Sequence, residues 1–217
     1  MGAIARSAAN NITTSGVFTS SAIANSSVTG ITVLANASDG ITLISSQTAS
    51  NSASISFTSG LTSTYKAYKF VFVNIDGANS DEDFQVNFST DGGSNYNVTK
   101  TTTAFEATHN ENDTGTGLQY QTGRDLAQSS ANQWLNIGGI SPDSDSNACG
   151  SMILFNPSST TYVKHFISQF NSFTSSNLFY NAYVAGYCNT TSAVNAVRFI
   201  MTGGNISAGK IYMYGIK

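Results

Sequence analysis

Charge is what this sequence lacks first. Of its 217 residues 10 % are charged, where an ordinary domain carries ~25 %. Nine Lys and Arg against 12 Asp and Glu leave a net charge of −3. Without a basic patch to neutralise a row of phosphates, no nucleic-acid partner is expected. Long apolar runs are missing as well: none approaches the ~20 residues that cross a bilayer, so no membrane insertion is expected. Proline occurs twice, at Pro142 and Pro157, which excludes a proline-rich linker. Cysteine also occurs twice, at Cys149 and Cys188. There is no CxxC pair and no histidine near either thiol, so a zinc site is excluded. The two are read as free thiols in strands, and a bridge stays open only if those strands are neighbours.

Catalytic signals are equally sparse. His109 and His165 are the only histidines. His165 sits in an alternating strand and reads as solvent-facing, and His109 reads as a loop residue. No Gly-x-Ser-x-Gly elbow occurs. Asp81, Glu82, Asp83, Glu106, Glu111 and Asp113 fall in or beside stretches that read as loops, where carboxylates are ordinarily solvated rather than paired across a scissile bond. Asp143 and Asp145 are closely spaced and lack the distal bidentate Glu of a calcium loop. The reading is therefore not an enzyme, with no catalytic residue, no metal and no cofactor.

What the sequence does have is Ser, Thr, Asn and Gln for solubility, 13 Phe and 10 Tyr for a core, and 19 Gly for turns. Thr, Tyr, Phe and Val suit a pleated surface better than a helix. Alternation of apolar and polar residues marks strands at 53–58, 84–89 and 162–167. The stretch 65–75 is apolar on both faces and reads as a central, covered strand. Ser89-Thr-Asp-Gly-Gly-Ser-Asn has hairpin chemistry, with the return strand starting at Tyr96 and Val98. Residues 106–117 read as a long exposed loop. The pattern predicts an all-β, antiparallel two-layer sandwich.

The N-terminus differs from the rest. Arg6 and Asp39 are its only ionisable side chains between Met1 and Gly40. Isolated apolar residues stand among Ser, Thr, Asn, Ala and Gly, too few to offset the backbone entropy of ordering one chain alone. This predicts an extended arm over residues 1–38 before a sandwich over 39–217. Phe18, Ile23, Val28 and Ile31 are the residues expected to be buried along a shared axis in a homotrimer, or against a larger assembly. Tyr120, Trp134, Phe173, Phe179 and Tyr180 are the aromatics near loops on which a sugar could stack, although alternation places Trp134 in the core. The loop tips at 106–117 and 171–177 are the expected binding surface, with His109, Asp113 and Phe173 facing a receptor.

Three segments carry a resemblance. They are Ser56-Phe-Thr-Ser-Gly-Leu-Thr-Ser-Thr-Tyr-Lys-Ala-Tyr-Lys-Phe-Val-Phe, Phe84-Gln-Val-Asn-Phe-Ser-Thr-Asp-Gly-Gly-Ser-Asn-Tyr and Gly204-Asn-Ile-Ser-Ala-Gly-Lys-Ile-Tyr-Met-Tyr-Gly-Ile-Lys. In this order and spacing they resemble virion proteins of tailed bacteriophages, among them tail-fibre and tail-tip components. The resemblance implies a jelly-roll-like β-sandwich at the end of a fibre or on a virion surface, often trimeric, and carries over no catalytic residue. The arm is short for a long fibre. The expectation is a short fibre or tail-tip adhesin, attached to other virion proteins by its arm and binding a host-surface glycan or protein by its sandwich. The alternatives are a capsid decoration or head-fibre protein without a receptor role and, from another class, a glycan depolymerase.

Overall fold

The computed structural model describes residues 40–217. The arm and its residues Phe18, Ile23, Val28 and Ile31 lie outside the described residues. Twelve strands follow one another in the described part: β1 (Ile41–Thr48), β2 (Ile55–Phe57), β3 (Ala67–Gly77), β4 (Phe84–Ser89), β5 (Lys100–Asn110), β6 (Thr116–Tyr120), β7 (Gln133–Trp134), β8 (Ala148–Phe155), β9 (Lys164–Phe173), β10 (Leu178–Cys188), β11 (Ala196–Met201) and β12 (Ile206–Ile216). No helix occurs among these residues. Every ladder is antiparallel. Eight strands form one sheet in the order β1-β12-β3-β8-β9-β10-β5-β6, and four form the other in the order β2-β11-β4-β7. The all-β antiparallel sandwich expected from composition and alternation is what the chain forms.

The two layers meet through phenylalanines. Phe199 of β11 faces Phe70 and Phe72 of β3 at ring-centroid distances of 5.4 and 5.0 Å. Phe84 of β4 reaches Phe170 of β9 at 5.7 Å, and Phe88 reaches Phe166 at 5.2 Å. All of these side chains are buried. Edge-on and tilted contacts of this kind add to the area term because the ring edge is positive and the face negative.

Strand β3 departs from its expected two-sided burial. Tyr68, Phe70 and Phe72 point into the core, but Val73 on the opposite side is 38 % exposed. The pairing with β8 shifts between Phe72 and Ile75, and Asn74 takes a positive φ of 51°. That bulge re-aims the strand, so Ile75 is buried on the core side rather than lying beside Val71 and Val73. The strand is central in its sheet, and the described residues cover it on one face only.

The turn after β4 is also corrected. Asp91 is tied at both oxygens, accepting from Ser89 Oγ at 2.7 Å, from the Asn95 backbone N–H at 2.9 Å and from Asn95 Nδ2 at 2.7 Å. These bonds, Ser89 first and Asn95 next, draw its carboxyl down to about 2. Gly92 and Gly93 supply φ values of 75° and 93°. Yet residues 95–99 form no strand. The chain leaves for the other sheet and enters β5 at Lys100, which pairs with Cys188 of β10. The Asp-Gly turn forms as its chemistry requires, but Tyr96 and Val98 begin no return strand against β4.

Candidate functional site

The two expected binding loops meet at one end of the large sheet. The first is shorter than its sequence suggests: β5 runs on to Asn110, residues 111–115 turn, and β6 begins at Thr116. Asn110 builds this turn, its Oδ1 accepting from the Gly115 N–H at 2.7 Å and its Nδ2 donating to Thr114 Oγ1 at 2.8 Å. The second turn joins β9 to β10 and closes through Asn177 N–H to Thr174 O at 3.0 Å. Asp113 and Asn177 both hold a φ of 58°, a conformation that Asn and Asp tolerate better than most side chains. The Glu111 N–H donates to Asn177 O at 3.2 Å and clips the two turns together.

Between them lies an open cleft of about 450 Å³, lined by Asn110, Glu111, Asn112, Ser176, Asn177 and Leu178. A second depression of about 290 Å³ shares Ser176 and Leu178 and extends to Asp81, Gly139, Ser141 and Tyr180. Amides, hydroxyls and backbone groups dominate both. Burial, followed by the carboxylates Glu106 and Asp81, pushes the Tyr180 phenol up, so it stays a neutral hydrogen-bond donor at physiological pH.

All three residues expected to face a receptor lie here. His109 is the penultimate residue of β5 rather than a loop residue. It is exposed, and its Nε2 is 3.2 Å from Asp113 Oδ1. Asp113 is exposed on the turn. Phe173 ends β9 and is half-buried. Phe179 of β10 lies directly opposite both His109 and Phe173 in the ladders. Residues opposite one another in antiparallel strands share a face, so His109, Phe179 and Phe173 form one row beside the cleft. Phe179 is 42 % exposed.

The carboxylates sort differently from their sequence reading. Glu106 is in no loop: it points inward from β5 and is 2 % exposed, because Lys100, Thr102, Ala104 and Glu106 alternate toward the core. Its Oε1 accepts from Gln119 Nε2 and Gln121 Nε2, each at 2.7 Å. Asp83 is buried too and is held by the Arg124 guanidinium. Burial raises its carboxyl in spite of that partner. Trp134 is half-buried rather than in the core, with the Arg124 guanidinium 4.4 Å from its ring centroid. Among the described residues no group of His, Cys, Asp or Glu could hold a metal ion. Cys149 and Cys188 are free, and β9 separates their strands.

The outer face of the eight-stranded sheet carries no second layer of described residues. One cross-strand row on it runs Ser46, Tyr212, Val71, Ser151, Gln169, Tyr183, Phe105, Tyr120. The next runs Leu43, Tyr214, Lys69, Ile153, Ile167, Ala185, Thr103. Lys69 is the one formally charged side chain in the two rows. The signal that could have revealed this face was the set of apolar residues at outward positions: Val71 and Val73 of β3, which read as double-sided burial, with Ile153 of β8 and Ile167 of β9.

Comparison with protein-family models, with curated proteins and with solved structures finds no match to this chain.

Proposed function

We propose that this chain is a non-enzymatic structural protein of a tailed-bacteriophage virion, a short fibre or tail-tip adhesin. In this reading the arm over residues 1–38 attaches to other virion proteins and helps assemble a homotrimer. The sandwich binds a host-surface glycan or protein. The observation that most supports it is the meeting of the 111–115 and 174–177 turns at one end of the sheet, clipped by the Glu111–Asn177 hydrogen bond, with the aromatic row Phe179–Phe173 alongside. Amide and hydroxyl groups exchange hydrogen bonds with sugar hydroxyls, and an exposed ring offers an apolar platform for the sugar's C–H face. The cleft is shallow and open, so each contact is weak. Several copies on one particle multiply weak contacts into firm attachment.

Two experiments test this. Phe179→Ala and Ser176→Ala in the full chain are expected to weaken binding to host cells while leaving the fold intact by circular dichroism. Imaging of particles carrying labelled protein is expected to place it on the tail. Many copies on the head would replace the adhesin reading by the decoration reading.

A further inference from the structure

The outer face of the eight-stranded sheet is the largest surface of this domain without a described cover. We propose that it is a self-association surface, on which copies of this chain rest against one another. The inference stands on the sandwich alone and does not need the virion reading.

Size is the first argument. Eight strands at ~4.8 Å spacing and some four to five outward residues per strand, ~6.7 Å apart, give a face of roughly 900 Å². A standard stable interface takes about 800 Å² from each partner. Charge is the second. The two rows across the centre hold only Lys69 as a formal charge, and in the next row Lys210 lies with its Nζ 5.0 Å from the Tyr212 ring centroid, so two identical faces meet with little like-charge repulsion. A strongly charged partner would find nothing to pair with.

Side-chain chemistry chooses a second copy over a glycan. Val71, Ile153 and Ile167 offer no hydrogen bond, and Ile167 is 47 % exposed. The amides nearby are turned on their neighbours: Gln169 Nε2 donates to Asn181 Oδ1 and Tyr183 Oη, each at 3.2 Å, and Asn181 Nδ2 donates to Tyr183 Oη at 3.0 Å. Sugar hydroxyls would have to break these bonds, whereas an apolar sheet need not. Relief is the last argument. Small residues, Ser151 and Ala185, open a groove of about 440 Å³ between Ile153 and Ile167 on one side and Phe105 and Tyr183 on the other. Facing sheets interdigitate side chains in such grooves, and the wall rings are held upright by their own parallel stack at 4.9 Å.

Sedimentation of the full chain over a range of concentrations tests the proposal. The expected result is reversible or permanent association. Ile153→Lys with Ile167→Lys is expected to weaken it at least about tenfold, as loss of central anchors does, with an unchanged circular-dichroism spectrum. In case that variant misfolds, Gln169→Cys in a Cys149→Ser background leaves the apolar residues in place. Its introduced thiol is expected to react more slowly with a water-soluble maleimide as protein concentration rises. A chain that stays monomeric overturns the proposal, as does association that survives both lysines with the introduced thiol equally reactive at every concentration. Association lost in a Phe18→Asp, Ile23→Asp variant but kept in the face variant assigns it to the arm alone and overturns the proposal too. Host-cell binding is measured separately, so failure of the adhesin reading leaves this test untouched.

Discussion

Cys188 of β10 lies directly opposite Lys100 of β5, and both side chains are fully buried. On its other side Cys188 is paired with Lys164, also fully buried. A thiol between two ammonium groups invites a reactive thiolate, but burial prevails. It pushes the thiol up to about 12 against the pull of Lys100 and Lys164. It also brings Lys100 down to about 8. Lys100 keeps its place through Nζ bonds to Asn87 Oδ1 and Val98 O, both 2.7 Å.

Stability is therefore expected to rise with pH where most proteins begin to lose it. Below about 8 the folded chain carries a buried charged lysine and bears its full cost. Between about 8 and the ordinary 10.5 the folded state has released that proton and the unfolded state has not, so stability climbs by up to ~1.4 kcal/mol per pH unit. Lys164, lowered by burial, acts with the same sign. Cys188 acts oppositely from its ordinary 9.0 upward, because the unfolded thiol ionises first. Urea midpoints are expected to increase from pH 8 to 9, flatten, and fall above 10.5. Cys188→Ala is expected to extend the rise.

The Arg124–Asp83 pair predicts an asymmetric mutant cycle. Asp83 is 7 % exposed, and its Oδ1 has no hydrogen-bond partner among the described residues. Arg124→Met leaves a buried carboxyl without its guanidinium and is expected to cost about 3–5 kcal/mol near neutral pH. Adding Asp83→Asn is expected to restore much of that loss. Urea denaturation of the two single variants and the double variant measures the cycle.

Gly209 is required by the bulge in β3. Its φ is 116°, and a Cβ there would come within 2.7 Å of Asn74 O and 2.8 Å of Ile75 Cδ1. Asn74 is the residue whose positive φ turns Ile75 into the core. Gly209→Ala is expected to cost about 1–3 kcal/mol from backbone strain, plus whatever the displaced Ile75 loses. A lowered thermal midpoint with an unchanged spectrum checks it.

Most of the architecture was written in local pattern. In β9 the alternation of Phe166, Ser168, Phe170 and Ser172 inward with His165, Ile167 and Gln169 outward is a period of two, visible without coordinates. The turns at 111–115 and 174–177 were legible, though the first is shorter than expected, because Asn, Asp, Gly and Ser make turns for stated reasons. What could not be read was which sheet a strand joins. Asp91-Gly92 has the same turn chemistry whether the chain returns to β4 or crosses to β10. Nor does local sequence separate an outward face that is covered from one that is open: Val71, Ile153 and Ile167 look the same in both cases. Glu106 reads as a solvated charge, because pattern alone does not tell that Gln119 and Gln121, beyond a turn, will meet it.

The core itself gives the sharpest expectation, centred on Phe199. Its ring stacks on Phe84 at 5.6 Å with an interplanar angle of 10°, and meets Phe57, Phe70 and Phe72 edge-on at 6.3, 5.4 and 5.0 Å. Those four rings come from three strands, two in the small sheet and one in the large. Phe199→Ala would remove the contact shared by both layers and leave a void that rigid neighbouring rings cannot fill, so it is expected to cost about 3–5 kcal/mol. Phe199→Leu keeps most of the volume and is expected to cost about 1–2 kcal/mol, since ring-edge contacts contribute ~0.5–1.5 kcal/mol beyond area. Phe179 is 42 % exposed, with His109 and Phe173 opposite it on the same face, and Phe179→Ala is expected to cost no more than about 1 kcal/mol. A Phe199→Ala midpoint no lower than that of Phe179→Ala would mean that the two sheets do not share this core.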